Sequence, residues 1–126
     1  MNYLIVFVGA GIGGALRHGA NMLGLRLAGP DFPYATLAVN IAGSLAMGLV
    51  AGIFLLKADL PYAWRLFLTT GLLGGFTTFS AFSLDAVALY ERGEPLLAAL
   101  YVGGSVILSI AGLWAGLSLV RALLAA

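Results

Sequence analysis

The sequence predicts an all-α integral membrane protein with four transmembrane helices in a single domain that covers residues 1–126. Composition gives the first reason, because 62% of the residues are hydrophobic and only 9% are charged, whereas a soluble domain is about one quarter charged. The second reason is that three short polar clusters divide the chain into four long apolar segments. A helix needs about 20 apolar residues to cross a bilayer, so we expect a multi-pass protein in a lipid bilayer.

The clusters that separate the apolar segments combine charge with proline or glycine. Their sequences are GPDFP at 29–33, KADLP at 57–61 and ERGEP at 91–95. Proline and glycine interrupt helices, so each cluster is expected to form a tight turn between two spans. The predicted spans are, in order, residues 2–27, 34–56, 62–90 and 96–124.

The third span contains an unusual stretch, GLLGGFTTFSAFS at residues 71–83. Its glycines at 71, 74 and 75 each disfavour a continuous helix by about 1 kcal/mol relative to alanine. Glycine also adopts positive φ without strain. We therefore expect the third helix to be broken in its middle, at these glycines. Irregular backbone at membrane depth persists only where it is buried in protein or lines a wet cavity, so this stretch is the predicted functional centre.

The positive charges do not favour one orientation in the membrane. Lys and Arg in short loops normally mark the cytoplasmic side. Three positive residues lie on the side of the termini, namely Lys57, Arg65 and Arg121. Two lie on the other side, Arg26 and Arg92, and Arg17 inside the first span makes a third if it is counted there. One interpretation is that the chain inserts both ways and that opposite copies pair as an antiparallel homodimer. The alternative is a weak bias that other factors decide.

Net charge and small residues bear on the partners of the chain. A net charge of +1 is too small for the basic surface that nucleic-acid binding requires, so we expect no nucleic-acid partner. Small residues stand four apart on every span, as in Gly48 and Gly52. Such pairs let helices approach closely, which indicates tight packing and an oligomer; generic packing within one chain is the alternative.

Polar side chains form two rows at helical spacing. Residues four apart share one face of a helix, and intramembrane polar residues usually face the protein interior. The rows suggest either a lined pathway or hydrogen bonds that merely join helices, and both remain open. Their members are Thr36, Asn40 and Ser44 on the second span and Tyr101, Ser105 and Ser109 on the fourth, where Leu113 ends the row; Thr77, Thr78, Ser80 and Ser83 add hydroxyls to the third.

An anion is the solute that these rows would suit. Every side chain on them can donate a hydrogen bond, and none carries a fixed positive charge that would hold an anion too tightly. Phe79 and Phe82 are three residues apart, so both rings can face one side of a helix. The edge of an aromatic ring is electropositive and can stabilise a partly dehydrated anion. Ordinary core or lipid-facing packing of both rings is the alternative.

Two further features have open interpretations. Carbonyl oxygens exposed at the break are ligands for hard cations, so a structural monovalent cation is one possibility there. Arg17 lies inside the first span, where it can pair with carbonyls, reach the interface or attract anions. The adjacent His18 is expected at the interface, because no second metal-binding residue stands at useful spacing.

Three motifs together resemble the small dual-topology fluoride channels of the Fluc type, also called CrcB. They are GAGIGGALRH at 9–18, TLAVNIAGS at 36–44 and the specific GLLGGFTTFSAFS at 71–83. The resemblance covers the chain and implies an antiparallel homodimer with two pores in a prokaryotic plasma (inner) membrane. It implies no enzyme activity: fluoride would leave the cytoplasm passively, driven by the membrane potential.

The resemblance also implies roles for individual residues. A structural sodium ion would be held by the backbone carbonyls of Gly74 and Thr77, and Arg17 would lie near a vestibule. Thr36 and Ser83 are expected along the same route. The residues implied to line the pore or bind the anion are Asn40, Phe79, Phe82, Thr36, Ser83, Tyr101, Ser105, Ser109 and Arg17.

Two other classes of membrane protein share some of these features. A small dual-topology multidrug or cation exporter also has four spans, but it relies on a glutamate within its first helix, and residues 2–27 contain none. A non-transporting membrane subunit with polar helix contacts is the other alternative. Fluoride efflux from liposomes separates both from a channel.

Overall fold

The computed structural model describes residues 1–57 and 59–124. Ala58, inside the turn expected at 57–61, and residues 125–126, at the end of the expected domain, lie outside the described residues. The helices are, in order, α1 (Asn2–Ala28), α2 (Tyr34–Leu56), α3 (Tyr62–Leu66), a π-helical segment (Phe67–Leu73), α4 (Gly74–Phe76), α5 (Phe79–Glu91) and α6 (Pro95–Leu124).

Four helical stretches are long and apolar enough to cross a membrane, judged by length and composition. Three of them are α1, α2 and α6, and the third in chain order runs from Tyr62 to Glu91. Regular structure in the described part of the chain is entirely helical. The predicted all-α class with four spans is therefore confirmed.

The helices pack as two parallel pairs that meet through glycines. In the first pair, α1 lies on the π-helical segment and α4, and a Cβ added to Gly9 would come 2.9 Å from the Gly71 Cα. In the second pair, α2 lies on α6, and a Cβ on Gly116 would come 2.9 Å from the Leu49 amide nitrogen. The small-residue pairs noted in the sequence thus mediate close packing within one chain.

The third span is interrupted just after its glycines rather than at them. Thr77 and Thr78 are extended, with ψ angles of 158° and 127°. Among the described residues, positive φ occurs only at Gly29 and Gly93, so the expectation that the glycines themselves form the break is wrong. These glycines serve close packing instead, because α1 approaches the third span here: a Cβ on Gly75 would come 2.8 Å from the Ala10 Cα.

The chain restarts as a helix because Thr78 caps α5. Its hydroxyl accepts a hydrogen bond of 3.1 Å from the Ala81 amide, as a threonine at a helix N-cap does. The π-helical turns before the break were not expected from the sequence. Such turns inside α-helices are rare and often accompany functional sites. The break and the start of α5 therefore present the TTFSAF residues to α2 and α6.

Candidate functional site

A cavity of about 460 Å³ lies beside the break, between α2, α5 and α6. It brings together residues that are distant in the sequence, from Asn40 to Leu113. No charged side chain lines it among the described residues. The expected site residues on its wall are Asn40, Gly74, Thr77, Phe79, Phe82, Ser105 and Ser109, together with Ser44.

Asn40 holds the broken backbone in place. Its Oδ1 accepts a hydrogen bond of 2.9 Å from the Thr78 amide, and its Nδ2 donates to the Thr78 carbonyl oxygen at 3.1 Å. An extended residue between two helices loses the backbone partners that a helix supplies, and the asparagine amide replaces both. One Nδ2 hydrogen remains beyond these two bonds, so the same side chain can still donate to a solute in the cavity.

Ser105 supplies a free donor on the opposite wall. It is 5% exposed, and its Oγ is buried with no hydrogen-bond partner among the described residues. A buried hydroxyl without a partner costs about 1–3 kcal/mol. A solute that accepts its hydrogen bond would remove this cost, so the Ser105 hydroxyl is a candidate binding group in this cavity.

The two phenylalanines lie side by side on the cavity wall. Their ring centroids are 5.6 Å apart and the rings are inclined by 50°. Phe82 is 8% exposed, whereas Phe79 is 78% exposed. Both rings thus border one cavity, but in a single copy of the chain only Phe82 is enclosed.

Four of the expected site residues lie away from this cavity. Thr36 lines a second cavity, and Tyr101 is buried between the first cavity and the second. The Ser83 hydroxyl donates a hydrogen bond to the Phe79 carbonyl at 2.9 Å. Of the alternatives for Arg17, the structure has carbonyl pairing, because its Nε donates to the Gly75 oxygen at 3.3 Å. Arg17 therefore supports the end of α4 from the α1 side.

The second cavity, of about 330 Å³, lies at the far end of the same polar rows. Phe82 and Tyr101 contact each other between the two cavities, with ring centroids 5.1 Å apart and planes inclined by 44°. The Tyr101 hydroxyl donates to Asp85 Oδ2 at 3.2 Å, and Asp85 lines the second cavity with Thr36. The α2 row thus runs from one cavity to the other, and the α6 row runs from the first cavity to Tyr101, which bonds to a residue of the second.

Several residues of the second cavity were not predicted from the sequence. Asn21, Phe32 and Arg92 line it, although none of them belongs to a row at helical spacing. Phe32 carried a usable signal, since it is an apolar residue inside the polar turn GPDFP. Asn21 and Arg92 come together because of the relative positions of α1 and α5 in the fold. Residue spacing within one helix does not reveal those positions.

The carbonyl groups at the break are suitable ligands for a small cation. Some of these oxygens already accept hydrogen bonds. The Leu73 oxygen accepts from the Thr77 amide at 3.0 Å and from the Thr77 hydroxyl at 2.9 Å. The Gly75 and Thr78 oxygens each accept from a side chain. In the described residues, the side-chain hydrogen bonds and the backbone hydrogen bonds outside the helices leave the Gly74 and Thr77 oxygens without a donor. Unpaired carbonyl oxygens without a nearby charge are the kind of group that hard cations bind.

Four apolar spans around a neutral, hydroxyl-lined cavity beside a helix break define a small multi-pass membrane protein of the channel or transporter class. A sequence model described as "CrcB-like protein, Camphor Resistance (CrcB)" matches residues 4–117. The chain belongs to the CrcB family.

Curated relatives match nearly the whole chain. A protein of Methylobacterium nodulans named "Fluoride-specific ion channel FluC" is 61% identical over 121 residues, which cover 96% of this chain and 97% of the relative. "Fluoride-specific ion channel FluC 2" of Nitrobacter hamburgensis is 56% identical, with 96% and 98% covered. A relative from Rhodopseudomonas palustris with the first name is 58% identical, with 98% and 99% covered. The resemblance inferred from the three motifs is therefore confirmed.

Proposed function

We propose that this protein is a passive, fluoride-selective channel that exports fluoride from the cytoplasm across a prokaryotic plasma membrane. The observation that carries the proposal is the unpaired Ser105 hydroxyl in an uncharged cavity, in a chain whose relatives are named fluoride-specific ion channels. Conduction needs binding strong enough for entry and weak enough for exit. Neutral donors meet both conditions for an anion.

The cavity replaces the water around fluoride with groups from three helices. Ser105 and Ser109 of α6 offer hydroxyl donors, and Asn40 of α2 offers its remaining amide hydrogen. The Phe79 and Phe82 rings close the side next to the break, where a ring edge presents partial positive charge. Because no step forms or breaks a covalent bond, the protein acts as a channel and not as an enzyme.

The route continues along the two rows toward the second cavity. Between the cavities the ion passes the contacting Phe82 and Tyr101 rings. Beyond them Thr36 provides a hydroxyl on the α2 side. Ser83 lies next to this passage with its hydroxyl occupied by the Phe79 carbonyl, so its contribution is to the shape of α5 rather than to binding. Arg17, bonded to Gly75, adds positive potential that raises the local concentration of anions.

An antiparallel homodimer completes two such pores. Phe79 lines the cavity and is nevertheless 78% exposed, so one copy leaves part of the wall open to its surroundings. A second, inverted copy would cover that opening and protect the dehydrated ion from lipid. The balanced positive charges of the sequence support insertion in both orientations, because no side of the membrane is marked as cytoplasmic.

A structural sodium ion fits the break of the third span. Gly74 and Thr77 would hold it through their backbone oxygens, which the side-chain hydrogen bonds and the backbone hydrogen bonds outside the helices leave without a donor in the described part of the chain. The ion would supply positive charge at the centre of the dimer and tie the two breaks together. The residues themselves already hold the shape of the site, since Asn40 fixes the Thr78 backbone.

Fluoride efflux from liposomes tests the proposal. Purified protein is reconstituted into vesicles loaded with potassium fluoride, and a fluoride electrode records release when a potassium ionophore is added. Release that depends on the ionophore and needs no proton gradient is expected of a passive channel. Chloride-loaded vesicles serve as the control for selectivity. Absence of fluoride release from folded, reconstituted protein would reject the channel and leave the non-transporting subunit as the better account.

A further inference from the structure

We propose that the turn between α1 and α2 is a cover over one end of the anion route, with Phe32 as its plug and Arg92 as its latch. The inference deepens the proposed function and rests on it. It starts from the observation that the polar rows do not open directly to solvent at this end. Tyr101 is 1% exposed and Thr36 is 7% exposed, so the last residues of both rows are sealed inside the protein.

Phe32 forms part of this seal. Its ring meets the Tyr101 ring edge to face, with centroids 5.5 Å apart and planes at 86°. It also packs against the buried cluster that contains Phe82 and Leu89. An aromatic residue of a connecting turn thus lies between the helices, directly over the end of the route, instead of lying at the surface as turn residues usually do.

Arg92 fastens the turn from the other side of the second cavity. Its Nη2 donates a hydrogen bond to the Asp31 carbonyl oxygen, next to Phe32 in the chain. Arg92 follows the last residue of α5, so the bond joins the α1–α2 turn to the end of the helix that carries Phe82. Both Phe32 and Arg92 line the second cavity, which is therefore a vestibule beneath the cover.

The arrangement makes Phe32 and Arg92 positioning residues for access to the route. When the bond is made, the turn holds the Phe32 ring on Tyr101 and the end of the polar rows stays covered. When it breaks, the turn can lift, which hydrates Thr36 and the Tyr101 hydroxyl. A hydrogen bond from a charged donor changes such an opening equilibrium by roughly tenfold. Flux through the open cavity is then limited by how often the cover lifts.

Thiol labelling tests the cover without any need for fluoride. The chain contains no cysteine, so Thr36→Cys or Ala81→Cys places a single reporter thiol on either wall of the vestibule. A hydrophilic maleimide should label each reporter roughly tenfold faster when Arg92→Gln is added, because the latch is lost. Phe32→Ala should have the same effect, since it removes the plug. Unchanged labelling at both reporters in folded protein would overturn the proposal.

Fluoride efflux supplies the second measurement, made without the reporter cysteines. Arg92→Gln removes a positive charge, which by electrostatics alone would slow an anion; the latch predicts faster efflux instead. Arg26→Gln is the matched control, because it removes an exposed arginine from the last turn of α1 and should leave labelling and efflux unchanged. Efflux that does not rise, or that rises equally in the control, would overturn the cover. If the parent protein passes no fluoride, the proposed function fails, while the labelling result still decides whether the cover exists.

Discussion

Asn40→Asp exchanges one side-chain nitrogen for oxygen and changes both the clamp and the charge of the cavity. The side chain keeps its size, and Oδ1 can still accept from the Thr78 amide at 2.9 Å. The second bond, from Nδ2 to the Thr78 carbonyl at 3.1 Å, becomes a contact between two oxygens. The cavity, which has no charged lining residue among those described, gains a negative charge.

The size of each effect follows from these contacts. Loss of the donor to a partly buried carbonyl costs about 1–3 kcal/mol in stability. Repulsion between the carboxylate and an anion about 5 Å away costs about 3 kcal/mol at an effective dielectric constant of about 20. Each 1.4 kcal/mol is about a factor of ten in rate, so the charge alone should slow fluoride by about a hundredfold.

Efflux from liposomes at neutral pH measures the rate, and thermal unfolding in detergent measures the stability. Asn40→Ala is the control, because it removes both clamp bonds without adding charge. We expect Asn40→Ala to unfold at lower temperature and to retain more flux than Asn40→Asp. Flux through Asn40→Asp equal to that of the parent would refute the placement of Asn40 on the route. Equal losses in both variants would instead refute the electrostatic part, and the clamp would then explain the whole effect.

Three other predictions concern the rings, the hydroxyls and the orientation of the chain. Phe79→Ile or Phe82→Ile should slow fluoride in the efflux assay, because isoleucine fills space but lacks an electropositive edge. The oligomer should remain intact by size-exclusion chromatography, and undiminished flux would exclude the rings from the pore. Ser105→Ala should reduce flux by about tenfold through loss of a donor, whereas Ser83→Ala should leave it near the parent value, since that hydroxyl already bonds to Phe79; the reverse order would contradict the site. Two lysines added to the loops on one side should bias insertion and abolish activity, and full activity with a verified single orientation would exclude the antiparallel pair.

Much of the fold was predictable because it depends on properties that lie along the chain. Apolar length defines a span, and proline with glycine ends it, so α1, α2 and α6 have the bounds that their sequences indicate within one residue. The polar rows were predictable for the same reason: Asn40 and Ser44, like Ser105 and Ser109, share a face through helical spacing alone, and all four line one cavity.

The exact place of the break was not predictable from propensity. Glycine is a weak helix former, which pointed to residues 71, 74 and 75. In the structure tertiary contacts outweigh this preference, because glycine is what lets α1 approach the backbone of the third span, as between Gly9 and Gly71. The break falls instead at Thr77 and Thr78, where Asn40 supplies hydrogen bonds from another helix. A partner 38 positions away leaves no local trace in the sequence.

The two parallel helix pairs explain why a cavity forms at the break. Each pair is held at backbone contact through glycine, so neither has space for a solute along its own seam. Space arises where α5 leaves the line of α4, because the extended Thr77 and Thr78 move the chain away from α1 and toward α2 and α6. The hydroxyls of Ser44 and Ser109 line this gap, and Gly48 and Gly116, one or two turns further along the same faces, bring α2 and α6 together beyond it. The glycines therefore close the contact between α2 and α6 at one level of the two helices, and the hydroxyl-bearing turns at the next level line the cavity.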